Sequence, residues 1–348
     1  MNQPTERQEI STELALGGQA LIEGVMMRSP SHVAMAARTP QGTIAVKSYP
    51  YIPIIRRIKW LGLPVIRGAV GLVESLKIGM DALSWSAEQA MPAEESASDK
   101  PASKVKEKAA VGFSILLAAV IGLGLFMYFP LWMGKLVAGD EALHGALRQI
   151  IVNSVAGGVR IAILLGYLWV ISRWKDIHRV FQYHGSEHKA IFAYESGSPL
   201  EARTVMAQTR FHPRCGTSFL LIVALSAVIF FVIVDSIVVA VFGEYPGVWA
   251  RFLVHVPLIP LVAGISYEFL KYSAKHTEDA LVKLAIQPGL WLQRITTQEP
   301  DSSMCEVAIT ALQTALDAKN ASAKPDSEQR VTDSEPVPTG VTAPSQAS

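Results

Sequence analysis

Four stretches of this chain are apolar for twenty residues or more: 111–138, 150–171, 218–242 and 249–269. A helix needs about 20 apolar residues to cross the hydrocarbon core of a bilayer, so each is read as a span. Pro130 is expected to kink the first span or mark its exit. The second opens with Ser154, Ala156, Gly157 and Gly158, small side chains that let helices approach closely. The fourth is entered through Pro257 and Pro260. Ahead of the spans the pattern changes. Residues 1–13 are polar, and the runs 32–39 and 43–49 flank Pro40-Gln41-Gly42, predicting a hairpin in a small β-rich module over 1–52. Gly17, Gly18 and Gly24 point to tight turns or close backbone approach there.

Over 53–90 the apolar positions 65, 66, 69, 70, 72, 73, 76, 80 and 83 fall on one broad helical face. Arg56, Arg57, Lys59, Arg67 and Lys77 decorate this segment, with Trp60 and Trp85 near its ends. It suits the lipid headgroup zone or, equally, a soluble helix packed on the β-module. Residues 91–110 are charged and rich in Ala, Ser and Pro, as in a flexible linker. The membrane domain then occupies 111–271, with a loop over 173–216. Beyond it, 272–318 is expected to be helical: Lys271 to Lys283 first, a break at Gln287-Pro288-Gly289, and a loop leading to an amphipathic helix. Asp301 or Ser302 caps that helix, which turns Val307, Ile309, Leu312 and Leu316 inward. The Ser/Thr/Pro/Ala-rich tail 319–348 is expected to be disordered.

Composition supports a membrane protein with soluble flanks. Half of the 348 residues are apolar and only 18% are charged, too few for a soluble chain of this length. A net charge of +1 offers nothing to nucleic acid. Cys215 and Cys305 do not make a disulfide framework and fit a reducing compartment. Apolar residues within 14–27 are interrupted by Gly17, Gly18, Glu23 and Gly24, so insertion is expected to rely on an internal span rather than a signal peptide. Lys and Arg are sparse between spans one and two and between three and four. They are richer before span one, in 173–216 and after span four, which predicts cytoplasmic termini and a cytoplasmic 173–216 loop. The expected fold is thus an α-helical membrane protein of about four transmembrane helices, with a small cytoplasmic β-rich N-terminal module and cytoplasmic amphipathic helices.

Candidate chemistry gathers in that loop. His184-Gly185-Ser186-Glu187-His188 is an H-x-x-E-H string, the inverted zincin order, in which two histidines hold zinc and the glutamate acts as general base. Four residues apart, the histidines share one helix face. His212 and Cys215 follow on a Pro-containing bend and add further imidazole and thiolate donors. Four protein ligands would close the shell as in a structural site; three would leave a position for water. Gly185 costs about 1 kcal/mol relative to Ala in a helix. Glu268, at the cytoplasmic end of span four, is an alternative ligand, or else the partner of Lys271 or a loop arginine. Asp235 lies inside span three, and Ser226, Ser236 or water are its nearest prospects. Glu23 and Arg28 are the ionisable groups of the Gly-rich turn region. Arg210 and Arg214 flank the bend, where they could bind lipid phosphate or an anionic substrate, or serve the positive-inside bias.

The stretches 17–28, 67–83, 181–191, 212–220, 263–268, 288–301 and 306–309 together resemble the YqhQ-like bacterial membrane proteins. The resemblance covers nearly all of the chain except the linker and the tail. It implies a polytopic protein of the bacterial inner membrane, in a family provisionally described as metal-dependent enzymes, and it brings no substrate. Two readings follow. One is a zinc-dependent hydrolase acting on a peptide or amide bond, or a lipid head group, at the inner leaflet. The other is a non-enzymatic scaffold with a structural zinc that docks a protein partner. A transporter built on Asp235 is a weaker third. Oligomeric state stays open.

Overall fold

The computed structural model describes residues 16–91, 113–114, 116–118, 120–139, 146–213, 215–276 and 279–323. Residues 92–110 of the expected linker, the tail beyond 323 and Arg214 lie outside the described residues. Near the N-terminus, β1 (Gly17–Leu21), β2 (Gly24–Arg28), β3 (His32–Arg38) and β4 (Ile44–Pro50) form an antiparallel meander in chain order. The predicted hairpin joins β3 and β4 with Arg38 opposite Ile44, and Gly42 takes a φ of 84° in its turn, which suits a residue without Cβ. Strand alternation sends Val25, Met27, Ala34 and Ala36 to one face, and Leu21, Met26, Val33 and Met35 to the other. Both faces are covered, so β2 and β3 are apolar between their polar end residues Arg28, His32 and Arg38.

The rest of the described chain is largely helical: α1 (Ile66–Ala90), α2 (Leu116–Ala138), α3 (Ala146–Ile171), α4 (Lys175–Glu195), α5 (Ala202–Met206), α6 (Gly216–Phe242), α7 (Val248–Lys275), α8 (Ala280–Thr296) and α9 (Ser302–Ala323). Within α2, α3, α6 and α7 lie four segments long and apolar enough to cross a membrane: Leu116–Ala138, Leu147–Ile171, Leu221–Phe242 and Trp249–Ser273. Gly134 faces the Val152 carbonyl and Gly157 faces the Val228 side chain, close approaches that a Cβ would block. Pro130 does not end the first of these helices. A π turn over Gly124–Tyr128 precedes it, and the helix continues to Ala138. Proline has no N–H to give the Phe126 carbonyl four residues earlier, and Arg160 Nε donates to that oxygen instead, at 2.9 Å.

Pro288 does not break its helix either. Helix α8 runs through it, held by the burial of Val282, Leu292, Gln293 and Thr296, so packing outweighs the local cost. Helix α9 likewise extends to Ala323, past the start of the expected tail. One sheet face packs on Tyr183, Ala190 and Ile191 of α4 and on Met304, Ala308 and Leu312 of α9. The other face takes Ile78 and Ala82 of α1. The N-terminal sheet, the segment between the second and third apolar helices and the C-terminal helix therefore share one core, on one side of the bundle. Helix α1 also docks on α7: a Cβ on Gly68 would strike Tyr267, and one on Gly264 would strike Val65.

Candidate metal centre

Helix α4 is submerged from Tyr183 onward. Its nine consecutive residues Tyr183–Ile191 are all buried, and they include His184, Ser186, Glu187, His188 and Lys189. Buried polar groups need partners. Ser186 Oγ donates to the Tyr183 carbonyl at 2.7 Å. Lys189 Nζ donates to the Met206 and Gln208 carbonyls at 2.8 Å each and pairs with Glu299 at 2.9 Å. The histidines each use one nitrogen in the same way. His184 Nδ1 lies 2.7 Å from the Thr296 carbonyl and His188 Nδ1 lies 2.5 Å from the Arg210 carbonyl. A carbonyl only accepts, so each Nδ1 carries the proton and each Nε2 is left as the donor atom, the orienting arrangement common around metal-ligating histidines.

Those free faces converge. The rings sit 4.5 Å apart between centroids, and Cys215 Sγ, at the start of α6, lies 3.3 Å from His184 Nε2. One donor atom from each of His184, His188 and Cys215 falls within 4.8 Å of the others. This buried group can hold a metal ion. The donor set, two imidazoles and a thiolate, fits a borderline-soft divalent cation. Before an ion enters, the cluster is a thiolate beside an imidazolium, and a cation would have to displace the His184 Nε2 proton. Burial alone would lower His184, but Cys215 and Glu187 lift it to about 9, helped by the Thr296 carbonyl. Burial alone would raise Cys215, but His184 and then His188 hold it well below the ordinary thiol range, so the sulfur is a thiolate.

Glu187 is buried beside the pair. Burial pushes its carboxyl above the usual range, with His188 and His184 opposing and Cys215 adding to the rise. Strand β1 leaves room for it: a Cβ on Gly18 would lie 2.6 Å from Glu187 Oε1. That strand is tied to α4 by Glu23, which takes a φ of 51° in the β1–β2 turn. Its carboxylate accepts from both Arg179 Nε and Arg179 Nη2, and from Tyr183 Oη at 3.3 Å. Arg28, the nearest candidate partner in sequence, instead lies over the Tyr51 ring.

His212 stands next to the three converging donors. Its ring is 5.6 Å from that of His188 and 4.7 Å from that of Phe192, and its Nε2 is 3.6 Å from Glu195. The bend that carries it is fixed by Gln293, whose side chain accepts from the His212 N–H at 2.7 Å and donates to its carbonyl at 2.8 Å. Arg210 is engaged by the Thr297 carbonyl and Glu299. Glu268 pairs with Arg67 at the start of α1, 2.7 Å from Nε, and accepts from the Val65 N–H. That contact replaces the Lys271 or loop-arginine partner expected from sequence. Sequence reasoning missed Gln293 and the two orienting carbonyls. A polar residue inside the apolar-rich helix α8 was the one visible sign of the first, and main-chain groups leave none.

Asp235 is held from other elements, not by the serines of its own helix. It accepts from Asn153 Nδ2 at 2.9 Å, Tyr245 Oη at 2.8 Å and His255 Nε2 at 2.8 Å, with Arg251 Nε 3.6 Å away. Ser236 Oγ donates to the Val232 carbonyl instead.

Comparison with known proteins adds family but no activity. Residues 63–318 match the family model described as Protein of unknown function (DUF1385). The chain is 34% identical over 317 residues, 87% of its length and 92% of the relative's, to Uncharacterized protein YqhQ of Bacillus subtilis (strain 168). This is the likeness the shared blocks led us to expect. No solved structure matches the chain.

Proposed function

Since the chain belongs to the DUF1385 family, whose description assigns no activity, its chemistry has to be read from its own site, and we propose a zinc-dependent hydrolase at the cytoplasmic face of the bacterial inner membrane. One observation carries this reading: donor atoms of two histidines and one cysteine converge in a buried cluster beside a carboxyl whose affinity for a proton is raised. His184, His188 and Cys215 would hold the ion, and three protein ligands are the number that leaves a position open. A zinc ion held there supplies Lewis acidity toward a carbonyl and toward water. Glu187 would take the proton of the attacking water and return it to the leaving group, a role suited to a carboxyl whose proton affinity burial raises. The site lies at the start of the apolar helix α6, so a peptide or amide bond presented at the membrane surface is the substrate class that fits. Lys and Arg distribution supports a multi-pass arrangement with both termini cytoplasmic.

A second reading, a scaffold with a structural zinc that docks a protein partner, is favoured by the proximity of His212, which could close the shell. Metal analysis and mutation separate the two. Protein purified in lipid is expected to carry about one zinc per chain, lost in His184→Ala/His188→Ala. X-ray absorption should count two nitrogens, one sulfur and a light solvent atom. Glu187→Gln should keep the zinc and fail to complement a strain lacking the gene. A shell of four protein ligands, with Glu187→Gln complementing fully, would leave only the scaffold.

A further inference from the structure

Between the apolar helices lies a half-open hollow of about 300 Å³, walled by all four through side chains such as Leu131, Leu164, Phe231 and Ile259. That is the lower end of the size of ligand sites, roughly 300–1,000 Å³. Two polar side chains line it, Arg160 and His255. Arg160 sits near the middle of its apolar segment, where a charge is costly without a partner. Its Nε is committed to the Phe126 carbonyl, and among the described residues no carboxylate pairs with it. Asp235 is not available for that role. Its oxygens are taken by Asn153, Tyr245 and His255, and its charge is matched by Arg251, itself bonded to Asn153 and Gln149. Among the described residues, Arg160 and Arg251 thus share one nearby carboxylate, Asp235, and Arg160 stands half-buried at the wall of an apolar hollow.

We infer that this hollow is a binding site for a single-chain lipid anion, a carboxylate or phosphate monoester whose head meets the Arg160 guanidinium and whose chain lies against the apolar wall. The occupant is set by charge and size together. An anion supplies the missing countercharge, a guanidinium matches both head groups in geometry, and the volume admits one short chain rather than a two-chain phospholipid. His255 ties the wall to the Asp235 network and stacks on Phe231, 4.0 Å between ring centroids. The site is separate from the histidine–cysteine group and does not depend on how that group functions.

The test uses the full chain in nanodiscs, with decanoate, decyl phosphate and decanol as probes and bound ligand counted by native mass spectrometry. Wild type is expected to hold at least one of the anions about tenfold or more tighter than decanol, the value of a charge-assisted hydrogen bond. The anion that wins identifies the head group. Arg160→Gln should bind acid and alcohol alike. Because Arg160 also supports Phe126, Leu164→Trp provides an independent arm: it fills the hollow, leaves the guanidinium in place and should abolish binding of all three probes. Equal affinity for anions and decanol in wild type, or unchanged decanoate and decyl phosphate binding in Leu164→Trp, overturns the assignment.

Discussion

A helix interior is a poor place for glycine, yet Gly185 lies between His184 and Glu187. Its reason is tertiary: the Gln298 carbonyl rests where a Cβ would be, and the Gln298 N–H donates to the Phe181 carbonyl at 2.8 Å. This segment carries the Thr296 carbonyl that orients His184. Gly185→Ala should therefore destabilise the protein although it gains about 1 kcal/mol of helix propensity. Overpacking costs about 1–3 kcal/mol, and a backbone obstacle cannot rotate aside, so the melting temperature and the retained metal should both fall. A rise in melting temperature would show that the carbonyl yields. The string of ligand types was visible in the sequence, and so was the expense of Asp235. The partners of Asp235 were not, because they come from helices 82 and 20 residues away in the chain.

At the scale of elements, the cap of α9 resolves to Asp301, one of the two residues the pattern allowed. Its carboxylate accepts from Ser303 Oγ at 2.6 Å and from the Met304 N–H at 2.9 Å. Burial alone would raise this group, but those donors hold it below the ordinary aspartate range. A depressed folded value means stability that is present above the unfolded pKa, about 3.9, and lost as pH falls through the folded one. Asp301→Ala should cost about 1 kcal/mol at neutral pH, with the deficit shrinking below pH 4. Asp301→Asn should retain most of the cap at both pH values. Thermal melts of the three proteins across pH check this, and a deficit independent of pH would refute it. Pro288 shows the limit of local rules: the breaker was read correctly as a residue type, but buried neighbours on α8 overrode it.

For the whole molecule, the number of apolar helices and the placement of the sheet, α4 and α9 in one core make a definite topological prediction. Ser198→Cys, on the side of the sheet, α4 and α9, should react with an impermeant maleimide only in inside-out vesicles. Glu244→Cys, at the opposite end of the bundle, should react only in intact spheroplasts. Labelling of both from one side would exclude four crossings. The other whole-molecule feature, the Arg160 cation facing the hollow between the helices, could be suspected from a charged residue in an apolar run. That no carboxylate among the described residues pairs with it emerges only when all four walls are assembled.

By itself the amino-acid order determined the four apolar helices, the β3–β4 hairpin and the pair of imidazoles one helical turn apart, because these depend on hydropathy, turn residues and spacing within about thirty residues. Only the tertiary structure decided which donors meet, since Cys215 reaches His184 across a loop and the orienting Thr296 carbonyl comes from the far end of the chain. Packing also decided that the N-terminal sheet, α4 and α9 bury a common core, and that Arg67 rather than Lys271 holds Glu268. Side-chain periodicity says which face of an element is turned inward; it does not say what that face will find there.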